Sequence, residues 1–253
     1  MTSKMLALAV LVATSVGTTQ LASQSAPATK TKSAAPSIAK LQVELDTTGI
    51  AKSTKVEIVP KDPYGPDDVI SLSGAPMHVR ILFDGKKLQY GDNDFMQPHL
   101  LIYPLADFAA VFPKGKRAEF NKQIATLRKI IANKSSKGFD EIPVLPQSDG
   151  AQFCHLQEKF LTFNNNKGTG VSFVTAYGNG DPPLNEPDFI YAFQGITADS
   201  KYYVAFYWPV KAIGLPKDLP LPKSNQYCQK LARAKYEPSL DALDRAVSSI
   251  TLK

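Results

Sequence analysis

The chain is poor in the side chains that carry chemistry. Its 253 residues include three histidines, two cysteines and one tryptophan. No His-Glu-x-x-His pair and no close His/Cys cluster is present, so zinc has no recognisable ligand set. No Gly-x-Ser-x-Gly elbow occurs, which removes the usual hydrolase signature. Gly168-Thr169-Gly170 lacks both the further glycine of a dinucleotide turn and the Lys-Ser/Thr of a P-loop, and reads as a hairpin turn. Acidic residues are absent before Glu44, and Lys4, Lys30, Lys32 and Lys40 supply four of the six net positive charges. A nucleic-acid binder concentrates positive charge on its folded domain, so that class is excluded.

Long hydrophobic runs are also missing. Met5–Ala13 is apolar but far shorter than the roughly 18 residues of a membrane span, and Lys4 precedes it. This is the form of a secretory signal peptide, expected over residues 1–25, with an uncleaved anchor as the alternative. Residues 26–40, rich in Ala, Ser, Thr, Pro and Lys, read as a disordered linker. A single α+β domain is expected over 41–253, secreted or periplasmic, with no transmembrane helix in the mature chain.

Within that domain, aromatic and β-branched residues alternate. Val171–Tyr177, Phe189–Phe193 and Tyr202–Trp208 have strand composition and are bounded by Gly, Pro, Asn and Asp. Lys159–Phe163 precedes them, with a turn at Asn164–Gly168. Leu41–Leu45 and Thr54–Val59 read as a hairpin; Met77–Phe83 and His99–Tyr103 read as further strands. Phe120, Ile124, Leu127 and Ile131 repeat at helical spacing within 116–132, and Leu240, Leu243, Val247 and Ile250 do so behind the cap residue Ser239. Leu105–Phe112 reads as a short helix and Ala151–Gln157 as a helical turn. Pro60–Pro76, Glu141–Gly150 and Gly214–Gln226 are proline-rich connectors. The sum is a mostly antiparallel sheet of seven to eight strands flanked by two or three helices, an α/β/α sandwich.

Candidate functional residues are few. Cys154 and Cys228, in an exported chain, suggest one disulfide, the alternative being two buried thiols. Tyr191, Phe193, Tyr203, Tyr207 and Trp208 form a candidate binding face on the sheet. Asn179, Asp181, Asn185, Glu186 and Asp188 place oxygen ligands in one loop without EF-hand spacing, and read as a solvated turn. No catalytic, metal or cofactor-binding residue is assigned.

Four segments also resemble a known family. Leu101–Pro104, Val144–Pro146, Ala151-Gln152 and the block Gly168–Val210 occur in an order shared by an uncharacterised family of exported bacterial proteins and lipoproteins. Its members carry patterns like IYVYP, PFLP, NAAQ, GSGVRFLTQY, YTFQGLT and DGKYYVSAILPV. The chain departs at Ser148-Asp149-Gly150, at Ser172 where the family often has Arg, and in lacking a lipobox cysteine. The resemblance implies export and carries over no catalytic residue. At the level of architecture the chain is also similar to the exported P subunit of the photosystem II oxygen-evolving complex. Together these readings imply a non-catalytic binding or accessory module whose partner is an envelope protein or small ligand. The alternative is an envelope hydrolase with an unrecognised site.

Overall fold

Alternating aromatic runs build one large antiparallel sheet, and helices cover both of its faces. The computed structural model describes residues 38–253 apart from Pro66 and Asp181. The expected signal peptide and residues 26–37 of the expected linker lie outside the described residues. In chain order the first elements are β1 (Val43–Glu44), β2 (Thr54–Val59), β3 (His78–Phe83) and β4 (His99–Pro104). Then come α1 (Leu105–Val111), α2 (Lys114–Asn133), β5 (Ala151–Gln152), β6 (Leu156–Phe163), β7 (Gly168–Thr175) and β8 (Tyr177–Gly178). β9 (Phe189–Thr197), β10 (Tyr202–Ala212), α3 (Leu221–Lys230), β11 (Tyr236–Glu237), α4 (Leu240–Ser249) and β12 (Thr251–Leu252) complete the order.

The main sheet runs β2-β3-β4-β10-β9-β7-β6, with β11 joined to the end of β10. Two hairpins set its register. The β6–β7 turn places Asn164, Asn165 and Asn166 at φ of 51°, 53° and 63°, left-handed backbone that asparagine tolerates. The β9–β10 turn is held by Asp199, whose Oδ1 accepts from Thr197 Oγ1 at 2.7 Å and Lys201 N at 3.1 Å.

A period of two sends alternate side chains to opposite faces. On one face Tyr191, Phe193, Phe206 and Trp208 meet Leu240, Leu243 and Val247 of α4 and Cys228 of α3. On the other, Phe173, Tyr203 and Tyr207 meet Phe108 of α1 and Phe120, Ile124, Leu127 and Ile130 of α2. Burying each such side chain is worth about 2 kcal/mol. Ser239 caps α4 as expected, its Oγ accepting from Ala242 N at 3.3 Å.

Several local expectations give way. β1 pairs with β12 rather than with β2, and β2 pairs with β3. Ile38–Lys40, expected in the linker, forms a 3-10 turn whose Ile38 is buried in the core. Ala151–Gln157 is no helical turn: Ala151 and Gln152 pair with Gly178 and Tyr177, and β6 begins at Leu156. Within the proline-rich passage after β10 lies α3, which starts at Leu221-Pro222, where proline's missing N–H costs nothing. Gln157, at φ 57° in a bulge of β6, donates to the carbonyls of Cys228, Gln229 and Leu231 and so closes α3.

Gly168-Thr169-Gly170 is strand, not turn. A Cβ on Gly170 would lie 2.4 Å from Phe193 Cζ and 2.5 Å from the Gln194 carbonyl oxygen. The phenyl ring lies over the bare backbone, and the carbonyl belongs to the neighbouring strand. Gly170→Ala is expected to cost about 2 kcal/mol by overpacking, read as a lower urea midpoint at unchanged slope. Gly115→Ala, in the open first turn of α2 where a Cβ meets nothing within 4 Å, is expected to shift the midpoint upward.

Candidate functional site

The expected aromatic binding face does not exist as a surface. Tyr191, Phe193 and Trp208 point to one side of the sheet, Tyr203 and Tyr207 to the other, and all five are buried. Alternation along β10 splits the set, and helices cover each side. Tyr203 has a different task. Its hydroxyl donates to Gln194 Oε1 and accepts from Leu145 N at 3.1 Å, while Gln194 Nε2 donates to Tyr207 OH at 3.2 Å. The strand interior thereby holds the proline-rich loop 141–150.

That loop is one wall of a cleft of about 400 Å³. Its other wall is the proline-rich loop before β3, at Val69, Ile70 and Ser71, with Gln123 of α2 alongside. The loops touch where Gln147 N approaches the Leu72 carbonyl at 3.5 Å. Gly74 allows the first loop to close: a Cβ there would lie 2.7 Å from Tyr64 N and from Val111 Cγ1. Gln152 braces the second, accepting from Ile142 N at 2.9 Å and donating to the Ile142 carbonyl and Tyr177 OH at 3.2 and 3.1 Å. The cleft lining holds amides, hydroxyls, Glu141 and Asp149, but no His, Cys or Lys. Its two serines are engaged: Ser71 Oγ donates to Glu119, and Ser148 Oγ accepts from Gly150 N at 3.2 Å.

Beyond Pro146 lies a second, smaller hollow of about 220 Å³, backed by a charged cluster. Its centre is Asp92, whose side chain is only 9% exposed. Tyr103 OH donates to Asp92 Oδ2 at 2.7 Å, and Arg80 Nη1 reaches Oδ1 at 3.4 Å. Arg80 also forks onto Glu57, with Nη2 at 2.9 Å. His78 Nδ1 lies 2.8 Å from the Pro76 carbonyl and Nε2 lies 2.9 Å from Asp92 Oδ2. The second contact is off-line for a hydrogen bond. Burial alone would raise the Asp92 carboxyl, but His78 and the Tyr103 hydroxyl outweigh it and hold it below its ordinary 3.8. His99 is different: its Nδ1 lies 2.7 Å from the Gln97 carbonyl, its Nε2 is buried without a partner, and burial keeps it neutral.

The third histidine meets both a hydroxyl and a carboxylate. His155 Nδ1 lies 2.8 Å from Glu158 Oε1 and 3.2 Å from Ser136 Oγ, and Ser136 Oγ lies 2.5 Å from the same Glu158 oxygen. In a catalytic triad the hydroxyl and the carboxylate sit on opposite ring nitrogens. Here they share one, and the buried serine donates to the carboxylate. The arrangement is a latch between the end of α2 and the start of β6. The Glu158 hydrogen bond raises the His155 pKa above 6.5 against the opposing effect of burial.

Cys154 and Cys228, expected as a disulfide, are two free thiols buried in the same core cluster. Burial pushes Cys154 up to about 12 and Cys228 up to about 11, so neither supplies a thiolate at neutral pH. In the Asn179–Asp188 loop, Asp181 lies outside the described residues. Asp188 Oδ2 accepts from Asn185 N and Nδ2, which closes the loop on itself, and Glu186 accepts from Gly214 N, which ties it to the segment after β10. Among the described residues no group of three or more His, Cys, Asp or Glu could hold a metal ion, and no helix is long and apolar enough to cross a membrane. Compared with protein-family models, curated proteins and solved structures, the chain matches none.

Two pH dependences of opposite sign follow. Asp92 is depressed in the fold, so its contribution is present above about pH 4 and is lost as the pH falls through the folded-state value. Asp92→Asn is expected to cost about 3 kcal/mol near neutrality, because it strands Arg80 and His78, and the gap to the wild type narrows in acid urea titrations. His155 is raised, so its contribution is full below 6.5 and is lost as the pH rises through the folded-state value. The difference in urea midpoint between wild type and His155→Gln is therefore expected to shrink toward about pH 9. A constant difference across that range would show that the latch carries no charge.

Proposed function

We propose that this chain is an exported, non-catalytic binding module that holds an envelope protein segment or a small polar ligand in the cleft between its proline-rich loops. The cleft carries the reading. It is about 400 Å³, within the range of ligand pockets, and its walls are fixed from behind by Tyr203 and Gln152. Proline-rich walls lose little freedom on binding, which favours recognition. Amides and hydroxyls suit a polar ligand, and Glu141 and Asp149, with no basic residue beside them, disfavour a negatively charged one. Export rests on the apolar run before residue 25 and on the resemblance to exported bacterial proteins. The reactive groups of the chain are engaged elsewhere: His78 and His155 with carboxylates, Cys154 and Cys228 in the core.

An envelope hydrolase is the second reading, and Ser136, His155 and Glu158 are the observation in its favour. Their shared ring nitrogen argues against it. A thermal-shift series with soluble peptidoglycan fragments and short neutral peptides tests both. At about a hundred times its Kd a ligand adds about 2.7 kcal/mol, which raises Tm by roughly 5–10 °C for a chain of this size. The shift is expected in the wild type and absent in Ser148→Trp, which fills the cleft. A shift that survives in Ser148→Trp moves the site elsewhere. Cleavage of any fragment, lost in Ser136→Ala, would replace the binding reading by the hydrolase.

A further inference from the structure

The main sheet has two edges, and only one is guarded. At the β6 edge the ladder is broken by the bulge at Gln157, and α3 and α4 pack across the strand. At the β2 edge the ladder runs without a shift from Thr54 to Val59, holds no proline and pairs with β3 alone. Among the described residues no other backbone–backbone hydrogen bond reaches residues 54–59. Alternate N–H and C=O groups along the outer side of β2 are therefore open to solvent. The covering layers also stop short of this strand. Val79 and Ile81 of β3 are fully buried, yet their cross-strand neighbours on the same face, Ile58 and Val56, are 42% and 52% exposed.

Open backbone groups beside exposed β-branched side chains are a template for another strand. The charges say which strand. Lys55 and Glu57 share the opposite face of β2, 2.9 Å apart, and Lys55 is well exposed. Two copies of β2 laid antiparallel about a twofold axis at Val56 set each Lys55 opposite the partner's Glu57, and Val56 opposite Val56. The neighbouring symmetric registers centre on Glu57 or on Lys55 and set like charges opposite each other, which is unfavourable. The strand is thus complementary to itself in one register.

We propose that β2 is a self-association edge, through which two copies of this chain join their sheets antiparallel about Val56. The join pairs the open backbone groups, covers Val56 with its own counterpart and gives Lys55 and Glu57 charged neighbours across the seam. A seam of six residues is small, so the dimer belongs with the weak, concentration-dependent associations. The inference is independent of the cleft, which shares no residue with β2.

Sedimentation velocity of the full chain over a concentration series tests it. The wild type is expected to pass from monomer to dimer. Lys55→Glu sets carboxylates opposite each other on both sides of the axis and is expected to weaken the dimer about tenfold, a gap that added salt narrows. Lys122→Glu makes the same change of net charge on the exposed side of α2 and is expected to leave the dimer as it is. A mixture of Lys55→Glu with Glu57→Lys restores opposite charges across the seam and is expected to associate more tightly than either variant alone. Should Glu57→Lys fail to fold because Glu57 also holds Arg80, the contrast between Lys55→Glu and Lys122→Glu decides the matter by itself. A wild type that stays monomeric throughout overturns the proposal and leaves the edge to a strand of another protein. Equal dimerisation of Lys55→Glu and Lys122→Glu overturns it too, as does a mixture of folded variants that gains nothing over each alone.

Discussion

On a sheet covered on both faces, a polar group left unpaired is costly. The middle strands β9 and β10 live under that constraint, with nearly every side chain buried. An unsatisfied buried hydroxyl or amide costs about 1–3 kcal/mol, a large part of a domain's net stability. The polar residues of these strands therefore reach outward to whatever lies above them. Gln194 joins Tyr203 and Tyr207, and Tyr203 takes the amide of Leu145. Tyr191 donates to Asp244 of α4 at 2.8 Å, and Asp244 gathers Ser172, Lys159 and Arg233 around it. Each pairing fastens a covering element to the sheet at one register.

The same constraint shapes the candidate sites. The cleft loop has little regular structure of its own, yet it is anchored at Leu145 from below and at Ile142 through Gln152. A loop held in this way offers a preformed wall rather than a moving lid. The charged cluster at Asp92 follows similar logic: His78, Arg80 and Tyr103 spend their polar atoms on one buried carboxylate. Residues that look reactive in isolation are thus engaged in holding the fold. A few buried polar atoms find no partner, the Tyr202 hydroxyl and His99 Nε2 among them.

Much of the sheet was legible because it depends on local periodicity. Phe189, Tyr191 and Phe193 alternate as strand residues must, and Phe120, Ile124 and Leu127 recur at helical spacing. The three asparagines of the β6–β7 turn announced it, and Ser239 announced α4. α3 was hidden because it begins among prolines and is largely polar, so neither its start nor its apolar face stood out. The β1–β12 pairing was hidden because it joins residues some two hundred positions apart, for which Val43 and Leu252 carry no local signal. The cleft was half visible: composition marked Pro60–Pro76 and Glu141–Gly150 as loops, but not that they face each other.

By itself the sequence determined most of the strands and two of the longer helices, α2 and α4, because backbone sterics and side-chain spacing act over a few residues. It also determined that no familiar catalytic or metal-binding motif is present. Only the tertiary structure decided what covers each face. That choice rests on packing between distant segments, which turned a row of aromatics from a binding surface into core and a pair of cysteines into separate thiols. It also decided which polar groups find partners, since hydrogen-bond satisfaction is a property of the assembled interior. The candidate site is defined by that outcome: a cleft whose loops are held from behind.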